Sequence, residues 1–331
     1  MAKSIMVAPV SGGRFVNQLG ELYHLAKYNF VPDIILSGSG GVVASMAYVC
    51  ADYKQRNLIR IANEIHSDMY IKSWAPKSLN FIPSKVFGFF HGSFYDKSDI
   101  LPEVINKLIT PGSLKEIEHW ILTFNTSKGE PGLFCTCSEN NAIIKNNDGH
   151  LKLYRELSYM DGDLDLFIKV ATASASIPSV VPPVAIKGDI YADAGLAHSS
   201  PLTPLAIDIQ HIERWHIIYL CCYNIYDTPK SELDGSILDS IGYAAKKILD
   251  SNTQTDRYEC YKLLSQRSLD GKVIEEKMSL KEYFERRDEW HSSFVEIYPL
   301  GDRMLTLDNY VGADVVNAML ATEIGITVRH I

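Results

Sequence analysis

Short apolar runs alternate with segments of helical periodicity through the first fifty residues. Residues 4–10 form an apolar run of strand length, and residues 14–28 carry apolar side chains at helical spacing. The pattern then repeats, with a second strand predicted at residues 33–37 and a second helix at residues 40–52. Strands and helices that alternate over short links are typical of a parallel sheet with right-handed crossovers. The chain therefore predicts an α/β fold.

The rest of the chain predicts further elements in a less regular order. Strands are predicted at residues 119–126, 132–138, 190–192, 215–223 and 294–298, and helices at residues 99–108, 163–174, 233–267, 280–287 and 312–325. Residues 60–95 mix aromatic side chains with Pro, Ser, Gly and Lys, which predicts irregular or short helical structure. No repeat or linker divides the sequence, so we expect one catalytic domain over residues 1–331, with a helical elaboration at about residues 226–293.

Composition excludes several classes of protein. The 331 residues are 46% hydrophobic and 22% charged, as in ordinary globular proteins. A net charge of −8 argues against nucleic-acid binding, which usually needs a basic surface. No apolar run has the length of a transmembrane helix, and the N-terminus lacks the apolar stretch of a signal peptide. The six cysteines form no Cys-x-x-Cys pair, so we expect reduced core thiols and a cytoplasmic location.

An abrupt change from apolar to small residues marks the end of the second predicted strand. Residues 34–44 read Ile-Ile-Leu-Ser-Gly-Ser-Gly-Gly-Val-Val-Ala, and Ser39 lies at the corner between strand and helix. Such a corner exposes a serine hydroxyl near the positive end of a helix, which suits a nucleophile. The nucleophile elbow is usually Gly-x-Ser-x-Gly, because close packing excludes larger side chains. Here Gly38 and Gly41 fit a tight turn, whereas Ser37 replaces the first glycine of the pattern.

Two further turns are candidates for the same site. Residues 11–14 read Ser-Gly-Gly-Arg, and a glycine-rich turn can direct successive N–H groups toward an anion. This turn fits an oxyanion hole, a phosphate-binding loop or a plain tight turn. Residues 191–195 read Tyr-Ala-Asp-Ala-Gly. Asp193 in this turn is either a base that points into a cleft or a turn-forming aspartate.

The segment before Asp193 resembles a known family. Residues 171–178 read Ala-Thr-Ala-Ser-Ala-Ser-Ile-Pro, and a Pro-Pro pair follows at residues 182–183. With the Asp193 turn, they resemble the patatin-like phospholipases, whose pattern is Ala-Thr-Ser-Ala-x-Pro, Pro-Pro, and then Asp-Gly-Gly or Asp-Gly-Ala. Ala194 replaces the glycine that usually follows the aspartate. The resemblance covers roughly residues 5–325. Its other motifs are the turn at 12–14, the Ser39 corner, Gly-Ser-Phe-Tyr-Asp at 92–96 and Leu-Asp at 307–308 before a closing helix.

This resemblance implies a three-layer α/β/α sandwich with a mostly parallel central sheet, and a lipid acyl hydrolase of phospholipase A or lysophospholipase type. The implied mechanism is a dyad in which Ser39 attacks an ester carbonyl while Asp193 accepts the serine proton and passes it to the leaving alcohol. No metal or cofactor is implied, and the partner is a phospholipid or another acyl-ester lipid. Whether an activating protein is needed stays open. The implied oxyanion hole comprises Gly12, Gly13, Arg14 and Gly40.

Three other functions remain open. A Ser-His-Asp esterase would use a histidine as its base, nominally His198, His291 or His330. A dinucleotide-binding protein would need a small third residue in its glycine fingerprint, where Val43 stands. A non-catalytic lipid-binding or scaffold protein would keep the fold without the dyad. The departures at Ser37 and Ala194 keep this last alternative open.

A basic and aromatic stretch precedes the third predicted strand. It lacks acidic residues between Asp68 and Asp96, and such a composition predicts contact with an anionic membrane surface. The alternative is a half-buried flap over the core, and a lid over the acyl pocket would reconcile the two. The residues concerned are Lys72, Trp74, Lys77, Phe81, Lys85, Phe87, Phe89 and Phe90.

Overall fold

The computed structural model describes residues 2–11, 14–65, 114, 117–145, 156–177, 182–223, 237–268, 272–301 and 315–331. Eleven strands of these residues belong to one sheet. In chain order they are β1 (Lys3–Ala8), β2 (Ile34–Gly38), β3 (Glu118–Asn125), β4 (Glu130–Cys135), β5 (Glu156–Tyr159), β6 (Val184–Ile186), β7 (Asp189–Ala192), β8 (Trp215–Leu220), β9 (Ile274–Lys277), β10 (Ser293–Pro299) and β11 (Ile324–His330).

The central strands of the sheet are parallel. The order across the sheet is β5-β4-β3-β2-β1-β8-β10-β11-β9, and β3, β2, β1, β8 and β10 pair in parallel with their neighbours in this block. Strands β2 and β8 are buried along their whole length, as parallel strands covered on both faces should be. The strands that flank this block, β4 and β11, join it in antiparallel orientation.

Helices cover both faces of the sheet. Buried side chains of α1, α2, α3, α4, α7 and α8 share one apolar core with the strands, while α5 and α6 contribute to a second core. Two cores separated by a sheet make a three-layer α/β/α sandwich, which confirms the predicted fold. The helices are α1 (Phe15–Ala26), α2 (Gly40–Cys50), α3 (Gln55–Ile65), α4 (Leu164–Ser174), α5 (Leu202–Ile209), α6 (Ile237–Arg267), α7 (Leu280–Arg286) and α8 (Val315–Leu320).

The C-terminal end of the chain differs from the prediction. A closing helix was expected over residues 312–325, but the described part of it ends at Leu320, and β11 follows. Residues 324–330 pair with the whole of β10, with Val328 opposite Val295. The β-branched residues of this segment fit a pleated surface better than a helix. His330 is consequently buried in a strand.

Several predicted features lie outside the described residues. They include the helix at 99–108, the motifs at 92–96 and 307–308, and the basic and aromatic stretch from Lys72 to Phe90. No helix of the described residues combines the length and apolar character needed to cross a bilayer. The single domain and the elaboration at residues 226–293 stay predictions; the described part of that segment contains α6, β9 and α7.

Candidate active site

The register of the sheet brings the ends of β2 and β7 together. Strand β2 ends opposite Leu122 of β3, and β7, which runs in the opposite direction, ends opposite Phe124 of the same strand. Because β4 occupies the other edge of β3 at this level, β2 and β7 meet end to end along one edge. The next residue after each strand is Ser39 in one case and Asp193 in the other, so both lie at this junction.

Ser39 makes the turn from strand to helix alone. β2 ends at the residue before it and α2 begins at the residue after it. Its backbone has φ of 50° and ψ of −126°, a conformation that non-glycine residues rarely adopt and that costs about 1–3 kcal/mol. Such strain persists only where the surroundings enforce it, and it is typical of a serine nucleophile at a strand–helix elbow.

Close packing on both sides of Ser39 enforces this turn. A Cβ added to Gly41 would come within 2.0 Å of the Ala8 carbonyl oxygen at the end of β1. A Cβ added to Gly38 would come within 3.1 Å of the Ala194 methyl group. Gly41 is therefore required for space, and Gly38 leaves only a tight fit for any larger residue. The Ala194 methyl group is fully buried and packs over Gly38, so the residue that departs from the family pattern fills the space above the elbow.

The two candidate catalytic side chains are in direct contact. The Ser39 hydroxyl donates a hydrogen bond to Asp193 Oδ2 at 2.6 Å, and the Gly195 N–H donates to Asp193 Oδ1 at 2.8 Å. The aspartate N–H in turn donates to the carbonyl oxygen of Ser176, two residues after the end of α4, at 3.0 Å. Each carboxylate oxygen thus has a separate partner, and the serine lies on one of them without an intervening histidine.

Burial changes the acidity of this aspartate. Asp193 is 5% exposed and Ser39 is 2% exposed. Loss of hydration raises the pKa of Asp193 to about 6, although the hydrogen bonds from Ser39 and Gly195 oppose the rise. A carboxylate with this pKa is ionised at neutral pH and is more basic than an ordinary aspartate, which has a pKa near 3.9. Both properties favour a general base.

Ser174, the last residue of α4, holds the backbone of Ser39. Its hydroxyl accepts a hydrogen bond from the Ser39 N–H at 2.9 Å and donates one to the Leu122 carbonyl oxygen at 2.6 Å. This N–H is therefore occupied within the protein. The sequence placed Ser174 inside a family motif, but no local pattern indicates that its hydroxyl reaches the elbow.

Part of the predicted oxyanion site is described. Gly12 and Gly13 lie outside the described residues. Arg14 precedes α1, with its N–H on the Ser11 carbonyl oxygen at 2.9 Å and its guanidinium over the Tyr223 ring. Gly40 is the first residue of α2, where backbone N–H groups have no intrahelical acceptor and the helix dipole favours negative charge.

Ser37 replaces a glycine and has a polar partner. The Ser37 hydroxyl lies 2.6 Å from Nε2 of His119 on β3. Both residues are buried beneath the elbow. Sequence reasoning did not identify His119 as part of the site, because the two residues lie on different strands and only the sheet register brings them together.

None of the three histidines proposed for an esterase lies between Ser39 and Asp193, which contact each other directly. His330 stacks on Trp290 at a ring-centroid distance of 4.3 Å and belongs to β11, four strands from β2. Four strand spacings amount to roughly 19 Å. His291 precedes β10, at the opposite end of the parallel strands. His198 is near the Asp193 turn, where burial lowers its pKa.

Helix α6 holds the chain segment that follows Asp193. The segment is also tied to the end of β1, because the Val10 N–H donates to the Ser199 carbonyl oxygen at 2.7 Å. Three polar side chains of α6 also form hydrogen bonds to this segment, and they hold the aspartate turn from the side of the second core. The pairs are Asn252 Nδ2 with the Gly195 carbonyl oxygen (3.1 Å), Thr253 with the Ser199 hydroxyl (3.2 Å) and Asp256 with the Ser200 hydroxyl (2.7 Å).

The fold and the elbow define an α/β protein with a serine at the carboxyl edge of a parallel sheet. A family model described as patatin-like phospholipase matches residues 12–206, which is more than half of the chain. The chain therefore belongs to the patatin-like phospholipase family, whose members are lipid acyl hydrolases. No residues in the described part of the chain cluster as a metal site would require.

Two other comparisons add little. No curated protein matches the sequence. Among solved structures, VipD from Legionella pneumophila is similar at 11% identity and a TM-score of 0.33, over 96% of this chain and 66% of VipD. The chain thus spans about 66% of the length of that protein. Family membership rests on the sequence match rather than on this neighbour.

Proposed function

We propose that this protein is a carboxylic ester hydrolase of the phospholipase A or lysophospholipase type, and that Ser39 and Asp193 are its catalytic dyad. The observation that carries the proposal is the 2.6 Å hydrogen bond from the Ser39 hydroxyl to Asp193 Oδ2, at a turn with strained backbone. A hydroxyl that already donates to a buried carboxylate is prepared for deprotonation as it attacks.

The reaction proceeds through an acyl-enzyme. Ser39 Oγ attacks the ester carbonyl carbon while its proton moves to Asp193 Oδ2. The tetrahedral oxyanion is stabilised by N–H groups at the start of α2, beginning at Gly40, and by the turn at residues 12–14; in measured cases one such donor contributes about 3–4 kcal/mol. Collapse releases the alcohol, which takes the proton from Asp193. Water then repeats the sequence and frees the fatty acid.

Apolar side chains beside the dyad support a lipid substrate. Ile177 is 42% exposed. It directly follows Ser176, whose carbonyl oxygen accepts the Asp193 N–H. Leu196, whose N–H donates to the Asp193 carbonyl oxygen at 3.3 Å, is 46% exposed. Exposed apolar side chains that flank a reactive serine suit an acyl chain better than a polar ester. Peripheral membrane contact through the stretch from Lys72 to Phe90 stays part of this proposal.

A fluorophosphonate probe tests the nucleophile directly. The folded protein is treated with the probe, digested, and mapped by mass spectrometry. We expect a single adduct on Ser39 in the native protein and none after denaturation, because only the folded site activates the hydroxyl. An adduct absent from Ser39 in the folded protein would favour the non-catalytic lipid-binding alternative. Ser176→Ala is a matched control, since this buried serine donates its hydroxyl hydrogen bond to the Thr172 carbonyl oxygen and not to Asp193.

A further inference from the structure

His119 contacts both arms of the nucleophile elbow. Its Nε2 lies 2.6 Å from the Ser37 hydroxyl, two residues before Ser39 on β2. The same nitrogen lies 3.5 Å from the Ser45 hydroxyl on α2, the helix that follows Ser39. One imidazole therefore joins the strand that enters the turn to the helix that leaves it.

The backbone of His119 is itself fixed. Its N–H donates to the Thr136 hydroxyl at 3.0 Å, and its carbonyl oxygen accepts from the Thr136 N–H at 3.0 Å. Ring contact with Phe167 of α4 packs the imidazole from the helical layer. A side chain anchored in this way can hold a neighbour in place rather than follow its movement.

We propose that His119 is a positioning residue for the reaction of Ser39, bridging Ser37 and Ser45 as a neutral imidazole. The proposal rests on the proposed function, because it assigns a second layer of support to that nucleophile. It also accounts for the departure from the usual elbow sequence. A buried serine in place of glycine needs a hydrogen-bond partner, and His119 supplies it, so that Ser37 ties the elbow to β3.

Burial keeps this histidine out of acid–base chemistry. His119 is 2% exposed, and the loss of hydration lowers its pKa to about 3. Its other ring nitrogen, Nδ1, has no hydrogen-bond partner among the described residues. Burial is the cause of the lowered pKa, and no charged side chain contributes to it. The ring thus stays neutral across the working pH range and acts through its position.

Four variants test the role of this residue: His119→Leu, His119→Gln, Ser37→Gly and the double variant Ser37→Gly/His119→Leu. For each, kcat and KM for a soluble ester and the rate of fluorophosphonate labelling of Ser39 are measured. We expect His119→Leu to lower kcat and labelling by about 10- to 100-fold with KM nearly unchanged, because it removes only the alignment of the nucleophile. His119→Gln, which keeps a side-chain hydrogen bond, should recover most of the loss.

The double variant tests whether the two residues act as a pair. If His119 acts through Ser37, adding Ser37→Gly to His119→Leu removes the orphaned hydroxyl and should lose less than the product of the single effects. The pH at which activity begins to fall should be the same in all variants, since His119 does not titrate there. A shift of that pH in His119→Gln would instead make the histidine a base and overturn the proposal.

His216 provides a matched control elsewhere in the sheet. Its Nδ1 lies 2.9 Å from the Ser293 hydroxyl, it is equally buried, and it lies near the amino ends of β8 and β10, away from Ser39. We expect His216→Leu to reduce stability without the loss of kcat. Equal kcat in His119→Leu and His216→Leu would overturn the positioning role. If Ser39 of the wild-type protein is not labelled by the fluorophosphonate, the proposed function is wrong. The positioning role then fails with it, because there is no reaction for His119 to support.

A second observation concerns two cysteines at the end of β4. The sulfur atoms of Cys135 and Cys137 lie 3.3 Å apart and share a hydrogen bond. The chain bends directly after Cys135, at Thr136 and Cys137, which brings together side chains two residues apart. All six cysteines of the protein are thiols, and Cys221 with Cys222 forms a second close pair in sequence.

The geometry points to a reversible disulfide between Cys135 and Cys137, formed by a peroxide. The Cys137 sulfur attacks a peroxide oxygen, the O–O bond breaks, and a sulfenic acid forms as hydroxide leaves. The Cys135 sulfur then attacks the sulfenic sulfur, so that the S–S bond forms and the S–O bond breaks, and the thiol proton leaves with hydroxide as water. The two sulfurs supply the two electrons that reduce the peroxide. The hydrogen bond from Cys135 lowers the pKa of Cys137, which favours Cys137 as the attacking thiolate.

Peptide mapping after hydrogen peroxide treatment tests this pair. The folded protein is oxidised, and the remaining thiols are alkylated in denaturant. We expect the peptide with Cys135 and Cys137 to lose two hydrogen atoms and escape alkylation, and dithiothreitol to reverse the change. The Cys221–Cys222 pair should stay alkylatable, because directly adjacent cysteines are poorly placed for a mutual disulfide. Retained thiols at Cys135 and Cys137, or oxygen adducts alone, would overturn the inference.

Discussion

The Ser39 backbone N–H donates to the Ser174 hydroxyl at 2.9 Å, which couples the end of α4 to the strained residue of the elbow. Ser174→Ala removes the acceptor and leaves a buried N–H unpaired, at a cost of about 1–3 kcal/mol. We expect kcat to fall by about tenfold or more, because the φ of Ser39 loses one of the contacts that enforce it. Steady-state kinetics with a soluble ester measures the effect.

Ser176→Ala is the control for this variant. That hydroxyl is also buried near the end of α4 and donates to the Thr172 carbonyl oxygen at 2.7 Å, but it makes no hydrogen bond to Ser39. If both alanine variants retain wild-type kcat, Ser174 does not support the elbow.

Close packing at Gly41 predicts a large structural effect. Gly41→Ala places a Cβ within 2.0 Å of the Ala8 carbonyl oxygen, so either β1 or α2 has to move. Overpacking of this kind typically costs about 1–3 kcal/mol, and here the clash is with backbone. We expect a clear fall in the melting temperature together with the loss of Ser39 labelling.

Gly301→Ala is the matched substitution, because none of the described residues lies within 4 Å of a Cβ at that position. Its melting temperature should stay close to wild type. An equal melting temperature for Gly41→Ala would show that the elbow is looser than its geometry indicates.

The acidity of Asp193 predicts the pH dependence of activity. Its carboxylate must be ionised to accept the Ser39 proton, and burial raises its pKa to about 6. We therefore expect kcat/KM to rise with pH through about 6 and to level off above it, with about a tenfold loss per pH unit well below the pKa. A pH–rate profile with a neutral ester measures this. Activity that stays level down to pH 4 would contradict Asp193 as the base.

Asp256 of α6 predicts a pH dependence of stability. Burial raises its pKa to about 7, from about 3.9 for an ordinary aspartate. Between these values the folded carboxyl holds a proton that the unfolded one has released, so the free energy of unfolding falls as pH rises from about 4 to 7. Relative to Asp256→Asn, wild type should lose on the order of 2–4 kcal/mol across this interval. Urea unfolding at several pH values measures the difference, and parallel curves for the two proteins would contradict it.

The candidate nucleophile and base were predictable because each lies in a local pattern. The small residues around Ser39 mark a sharp corner, and the Asp193 turn follows a recognisable segment. Their contact was not in either pattern, since it depends on β2 and β7 ending along the same edge of β3. The sequence order of the motifs indicated a shared site, while the register explains the 2.6 Å distance.

Supporting residues were missed for the same physical reason. The Ser37–His119 and Ser39–Ser174 contacts join residues 82 and 135 positions apart, and no local pattern indicates either contact. The final strand was missed because the periodicity of a segment as short as residues 324–330 does not distinguish helix from strand. Its pairing with β10 determines that it is a strand. Tertiary contacts therefore determine both the partners of the elbow residues and the structure of the final segment.

The central claim is tested most directly by fatty-acid release from phospholipid and lysophospholipid vesicles by wild type, Ser39→Ala and Asp193→Asn. We expect release by wild type and a fall of at least about 10³-fold in each variant, because removal of either member of a nucleophile–base pair disables the unit. Melting temperatures near wild type would establish that both variants are folded. Equal release by all three proteins would contradict the dyad.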